Sequence, residues 1–99
     1  MSRSALQDKY EIKLWQRALF ADGGDFPPEV ARAVLDVKFS EADQQRASEL
    51  AQKNQRGELS AEEKAEMEAY VRVGLVISIL WAKARLSLKR AGQPDHPAA

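Results

Sequence analysis

The longest predicted element of this chain lies within one stretch, residues 60–92, SAEEKAEMEAYVRVGLVISILWAKARLSLKRAG. It opens with Ser60 and, three positions later, Glu63. This is the spacing of a capping box, in which the serine side chain and the glutamate each satisfy an amide at the start of a helix. No proline lies within the stretch, and the final Gly92 is typical of a helix end. The pattern predicts one helix over residues 61–90, about 45 Å long.

The middle of this helix is apolar on nearly every side. One stripe consists of Tyr70, Val73, Ile77, Trp81, Ala84 and Leu88. A second stripe consists of Val71, Leu75, Ala82 and Leu86, and Val76, Ile79 and Leu80 fill much of the remaining surface. A helix of this kind is buried on most sides. We therefore expect other helices of the chain, or a second chain, to cover it.

The first segment, residues 4–20, is predicted to be helical from the spacing of its apolar residues and its helix-forming composition. A short strand is the alternative, because Tyr10, Ile12 and Leu14 alternate with charged residues. Residues 21–26 contain Gly23-Gly24 and form a break between elements.

Two further helices follow this break. Pro27-Pro28 begins a short helix that we expect to end near residue 38 or 39, since proline is accepted in the first helical turn. Ser40 is a good cap for a mostly polar helix over residues 41–56, and Gly57 is typical of its end.

The expected fold is all-α, with three shorter helices packed on the long C-terminal helix. We expect a single domain over residues 1–90 and a disordered tail over residues 91–99. Each large apolar side chain left exposed forgoes about 1.5 to 3 kcal/mol of burial, and the short helices offer limited cover. The sequence therefore predicts a helical-bundle homodimer or a contact with another protein. The predicted interface residues are Tyr70, Val73, Gly74, Ile77, Leu80, Trp81, Ala84 and Leu88.

Charge along the long helix is polarised. Residues 58–70 hold five glutamates and one lysine, whereas residues 72–90 hold five bases and no acid. Acids near a helix N-terminus and bases near its C-terminus complement the helix dipole. A second, compatible interpretation is an antiparallel helix pair centred near Val76, in which each acidic end meets a basic end. Gly74 would then allow close approach of the two backbones.

Composition excludes several kinds of chemistry. The 99 residues carry 15 bases and 15 acids, so net charge does not indicate general binding to nucleic acids or membrane surfaces. Cysteine is absent, and the only histidine is His96, near the end of the chain. The glutamates at the start of the long helix lack the histidine partner of a di-metal bundle, and phosphate-binding glycine motifs are absent. We expect no catalytic activity, no metal, no cofactor and no small-molecule substrate.

The chain lacks an apolar signal segment at its start and any apolar run long enough to span a membrane, so we expect a cytoplasmic protein. The basic end of the long helix offers an alternative to protein binding. Contact with nucleic-acid phosphates there would use Lys83, Arg85, Lys89 and Arg90.

Four segments carry a resemblance to known proteins. They are residues 39–46 (FSEADQQR), 49–57 (ELAQKNQRG), 59–74 (LSAEEKAEMEAYVRVG) and 82–88 (AKARLSL). Together they resemble a group of small bacterial helical proteins that are often encoded beside HNH-type nuclease genes, and the resemblance covers about residues 27–90. It implies an antitoxin-like or accessory protein that binds a neighbouring effector. The alternative is a homodimeric structural or nucleic-acid-associated protein.

Overall fold

The computed structural model describes residues 5–21 and 24–93, which form four α-helices. Helix α1 spans Ala5–Gln16 and continues as a π-helical turn, Arg17–Ala21. Helices α2, α3 and α4 span Pro28–Leu35, Glu41–Gln55 and Ala61–Arg90. The described ranges contain no strand, so the all-α prediction is confirmed for them and the strand alternative for the first segment does not occur. The long helix has the predicted bounds.

Helix α4 begins and ends as its local sequence predicts. The Ser60 hydroxyl accepts a hydrogen bond from the Glu63 N–H at 3.0 Å, and the Glu63 carboxylate accepts one from the Ser60 N–H at 3.1 Å. At the other end, Gly92 has a φ of +71°. The N–H of Gln93 donates to the carbonyl of Leu88 at 2.8 Å. This is the Schellman arrangement, in which a glycine adopts the left-handed conformation that other residues rarely adopt.

Some predictions fall outside the described residues. Residues 94–99 of the predicted tail and Gly23 of the predicted break are among them. Residues 91–93 are described, and they complete the C-terminal turn of α4.

Helix α2 is shorter than predicted, because it ends at Leu35 and not near residue 38 or 39. The carbonyl of Val37 accepts a hydrogen bond from the indole N–H of Trp81 at 2.9 Å. Phe39 packs edge-on against Tyr70, with ring centroids 5.5 Å apart. These contacts with α4 lead the chain away from the axis of α2, and local sequence does not specify them.

Residues 25–55 run antiparallel to α4 along its whole length. The start of this segment lies beside the C-terminal end of α4, and its end lies beside the N-terminal end. Six contacts mark the path in order: Asp25 with Arg90, Phe26 with Ser87, Val37 with Trp81, Asp43 with Tyr70, Arg46 with Glu66, and Lys53 with Glu63. Helix α2 therefore covers the C-terminal half of α4, and α3 covers the N-terminal half.

Helix α1 packs on a different side of α4. Lys83 is only 6% exposed, and its ammonium donates to the carbonyl of Leu19 at 2.6 Å. The same ammonium lies 4.8 Å from the centre of the Phe26 ring. Among the described helices, α1, α2 and α3 each pack on α4, and no Cα of one lies within 8 Å of a Cα of another. Helix α4 is thus the element that holds the other helices in place.

The molecule is thin for its length. Its principal extents are 48 × 34 × 17 Å, and its radius of gyration is 16.4 Å. A compact domain of this length has a radius of gyration of about 13 Å. The largest described core cluster joins Ala31 of α2 to Ala84 and Leu88 of α4, and all three side chains are fully buried. Leu50 is the buried residue of α3. One layer of helices buries little surface, so much apolar surface of α1 and α4 stays open.

Candidate protein-interaction surfaces

Three of the predicted interface residues lie inside the chain's own core. Ala84 and Leu88 are fully buried against α2, and Ile77 is 9% exposed. A Cβ atom added to Gly74 would lie 3.7 Å from the Phe39 ring, so this glycine faces the link between α2 and α3. These positions are covered by residues 25–55 and present little surface to a second protein.

The other predicted interface residues are distributed between contacts within the chain and solvent. The Tyr70 hydroxyl donates to a carboxylate oxygen of Asp43 at 2.7 Å, and this bond raises the pKa of Tyr70 above its ordinary value. The indole N–H of Trp81 donates a hydrogen bond to the carbonyl of Val37, in the link that follows α2. Leu80 is half-buried, whereas Val73 remains 48% exposed. Of the predicted set, Val73 is therefore the large apolar side chain that is most open.

The four predicted phosphate-binding residues do not form one exposed group. Lys83 is buried beneath the π-helical turn, where it bonds Leu19. Arg90 forms an ion pair with Asp25 at 2.8 Å. Arg85 and Lys89 are exposed on the last turns of α4. Lys83 and Arg90 therefore have partners within the chain that compete with phosphate contact.

Two glutamates in the N-terminal half of α4 form ion pairs with basic side chains of α3. Arg46 forms two 2.8 Å hydrogen bonds to Glu66 through Nε and Nη2. Lys53 donates to Glu63 at 2.6 Å. The bond from Lys53, followed by that from the Ser60 N–H, lowers the pKa of Glu63 to about 2, and the bond from Arg46 lowers the pKa of Glu66. The antiparallel partner that meets these acids in the structure is the chain's own residues 25–55.

An apolar groove of about 300 Å³ lies between α1 and α4. Glu11 and Ile12 form its α1 side, and its α4 side includes Val71 and Leu75. Glu11 also borders a shallow cleft with Leu14, Trp15 and Ala18, so the apolar surface continues along α1. Val71 and Leu75 are 54% and 47% exposed. We call this surface the α1–α4 groove.

A second cleft lies on another side of α1. Its lining residues are Tyr10, Lys13, Gln16, Arg17 and Phe20, and we call it the outer cleft. Tyr10 is 59% exposed and Phe20 is 41% exposed. Lys13 and Arg17 are also exposed, and neither forms an ion pair within the described part of the chain. The outer cleft therefore combines aromatic and cationic side chains that face solvent.

The described residues include neither a cluster of metal-binding side chains nor a membrane-spanning helix. They contain no group of three or more histidine, cysteine, aspartate or glutamate side chains placed to hold a metal ion. None of the helices described is both long and apolar enough to cross a membrane.

The sequence predicts an interface on the first stripe of α4, whereas the open surface lies on α1 and on part of the second stripe. Val71, Leu75 and Ala82 of that second stripe are all exposed. The periodicity reveals both stripes but does not rank them, because either could face the short helices. Comparison of the chain with protein-family models, with curated proteins and with solved structures gives no match.

Proposed function

We propose that this protein is a non-catalytic protein-binding module of the cytoplasm, and that its outer cleft contacts the partner. The observation that carries this proposal is the exposure of Tyr10 and Phe20, at 59% and 41%, on α1 and the π-helical turn that continues it. Contiguous exposed apolar surface is typical of interaction sites, and aromatic side chains often supply most of the binding energy.

The arrangement of the charged side chains between the helices favours a binding function over a catalytic one. Arg46 and Lys53 hold α3 to the acidic half of α4, and Lys83 holds the end of α1. These groups stabilise the scaffold that presents α1. Their hydrogen bonds are directed to other helices and not into a cavity.

The chemistry of the outer cleft indicates the kind of partner. Lys13 and Arg17 accompany the two aromatic side chains. Complementary charge guides association and favours correct partners. We therefore propose a partner surface that offers apolar contacts flanked by carboxylates. The resemblance over residues 27–90 supports a neighbouring effector, such as an HNH-type nuclease, with this chain as its antitoxin-like or accessory subunit.

The test is direct binding to the effector encoded beside the gene. Calorimetry with the two purified proteins would measure the dissociation constant, and a nuclease assay would measure inhibition. The Tyr10→Ala/Phe20→Ala variant should bind at least about 30-fold more weakly, since an aromatic anchor contributes 2 kcal/mol or more. Val30→Ala is a matched control, because Val30 is 45% exposed on α2. Unchanged affinity of the double variant, or no binding by the wild type, would contradict the proposal.

We also propose that the module forms a homodimer. The accessible surface of 7230 Å² exceeds the roughly 5,700 Å² expected for a compact monomer of 11.1 kDa. The thin, single-layer arrangement leaves both broad faces of the molecule available. Sedimentation velocity at micromolar concentration should give the mass of two chains, and a sharp monomer would contradict this part of the proposal.

A further inference from the structure

One stripe of α4 is open between α1 and residues 25–55. It consists of Val71, Leu75, Ser78 and Ala82, and all four residues are exposed. Their spacings of four, three and four place them on one side of the helix, with the 3.5-residue repeat of a coiled-coil contact. We call these four residues the open stripe.

The open stripe is asymmetric in size. Its N-terminal half carries the large Val71 and Leu75, and its C-terminal half carries the small Ser78 and Ala82. If two such helices cross antiparallel about a point between residues 76 and 77, Val71 faces Ala82 of the copy and Leu75 faces Ser78 of the copy. Each large side chain then meets a small one, which allows interdigitated packing at an interaxial distance of about 8 to 10 Å.

The charges that flank the open stripe obey the same symmetry. Glu68 precedes Val71 by three residues, and Arg85 follows Ala82 by three. Both are therefore about 13 Å along the axis from the crossing point, in opposite directions. An antiparallel copy places Glu68 opposite Arg85 at both ends of the contact. Within one helix the two are about 26 Å apart, so they cannot pair with each other in a single chain.

We propose that two copies of this chain associate antiparallel through the open stripe of α4, with Glu68 of each copy paired to Arg85 of the other. This inference specifies the geometry of the homodimer proposed above and rests on that proposal. The outer cleft of α1 takes no part in this contact, so it remains available to a different protein.

The next pair of residues outward from the crossing point carries like charges and bears on the crossing angle of the two helices. Lys64 and Lys89 would face each other about 19 Å from the crossing point. Packed helices commonly cross at about 20° to 50°, and the two axes are farther apart at the lysines than at Glu68 and Arg85. The proposed contact therefore favours a crossing angle near the upper end of this range, which separates the two like charges. The paired glutamate and arginine lie closer to the crossing, where long side chains still reach across.

A second copy on the open stripe would cover more than one helix, since Val71 and Leu75 also line the α1–α4 groove. Helix α1 also contributes: Ile12 lies beside Leu75 in the groove, and Leu19 lies beside Lys83.

The test uses charge reversal in two separate variants. Glu68→Arg alone places arginine against arginine at both ends, and Arg85→Glu alone places glutamate against glutamate. Each variant should dimerise at least about tenfold more weakly than the wild type. A mixture of the two should form heterodimers, because both cross-chain pairs are then opposite in charge. Native mass spectrometry separates the species by mass, and restored assembly shows that both variants are folded.

A cysteine cross-link checks the register, since the chain contains no cysteine of its own. Leu75→Cys and Ser78→Cys chains, mixed and oxidised, should form a heterodimeric disulfide, whereas the control Val73→Cys should not cross-link. A wild-type dimer whose assembly is unaffected by the charge reversals would overturn this contact and leave self-association standing. A wild-type monomer would overturn both, without affecting the binding test at the outer cleft.

Discussion

The ammonium of Lys83 donates to the carbonyl of Leu19 at 2.6 Å, across 64 residues of sequence. This bond joins the π-helical turn after α1 to the C-terminal third of α4. The same ammonium lies over the Phe26 ring, at the entrance to α2. Lys83 therefore links α4 to the turn after α1 and to the start of α2, although local sequence predicts only that it lies on a basic helix end.

Replacing this lysine should destabilise the chain. In Lys83→Met, the methionine side chain is similar in length to the lysine stem but has no ammonium. The Leu19 carbonyl therefore loses its donor, and the cation–π contact with Phe26 is removed. We expect a loss of about 1 to 3 kcal/mol in the free energy of unfolding, measured by urea denaturation followed by circular dichroism. Lys89→Met, an exposed change on the same helix, should stay within about 0.5 kcal/mol of wild type. Equal urea midpoints for the two variants would refute a structural role for Lys83.

Ser87 anchors the start of the antiparallel segment. Its hydroxyl accepts a hydrogen bond from the N–H of Phe26 at 3.0 Å, and the side chain is 2% exposed. Ser87→Ala should lower the free energy of unfolding by about 1 to 2 kcal/mol, because the amide loses its partner. Hydrogen exchange of the Phe26 amide should also accelerate. Ser48→Ala, at an exposed position of α3, serves as the control, and comparable losses in both variants would argue against this anchor.

Leu50 should be the main apolar attachment of α3. It is fully buried on a helix that otherwise offers mostly polar residues. Leu50→Ala should cost about 2 to 5 kcal/mol, the range for buried leucines. Leu14→Ala makes the same change at a position that is 57% exposed, so we expect a much smaller loss. Thermal unfolding of both variants measures the decrease in Tm that each change causes. A similar decrease in the two variants would show that α3 is held by its ion pairs instead.

Stability should fall in acid through Glu63. Its pKa is about 2 in the folded chain and 4.5 ordinarily, chiefly because of the hydrogen bond from Lys53. Between these values the unfolded chain binds a proton that the folded chain does not, so stability falls as the pH decreases from about 4.5 to 2. Glu63→Gln retains one acceptor for the Ser60 N–H but loses the charge. The difference in Tm between wild type and this variant should therefore shrink across that pH range.

The control for the acid prediction lies on the same turn. Glu62 is exposed, and Glu62→Gln should leave the pH dependence of Tm close to that of the wild type. If Glu63→Gln follows the wild-type profile at every pH, the ion pair with Lys53 does not contribute to the stability of the fold in solution.

Local sequence determined the long helix of this protein. Ser60 and Glu63 supply both halves of a capping box, and Gly92 supplies the left-handed residue that ends the helix. Gly57 ends α3 in the same way, with a φ of +69°. These signals act between residues a few positions apart, so they need no tertiary contact to be recognised.

Tertiary structure decided which side of that helix is covered. Residues 73–82 are apolar nearly all round, so periodicity does not rank the two stripes. The early end of α2 and the position of Lys83 likewise depend on contacts more than forty residues apart. Burial of Ala84 and Leu88 beneath α2, and exposure of Val71 and Leu75, follow from the antiparallel path of residues 25–55 along one side of α4. A helix that is apolar on several sides is covered where its neighbours can also satisfy their hydrogen bonds and charges, and only the folded chain specifies those positions.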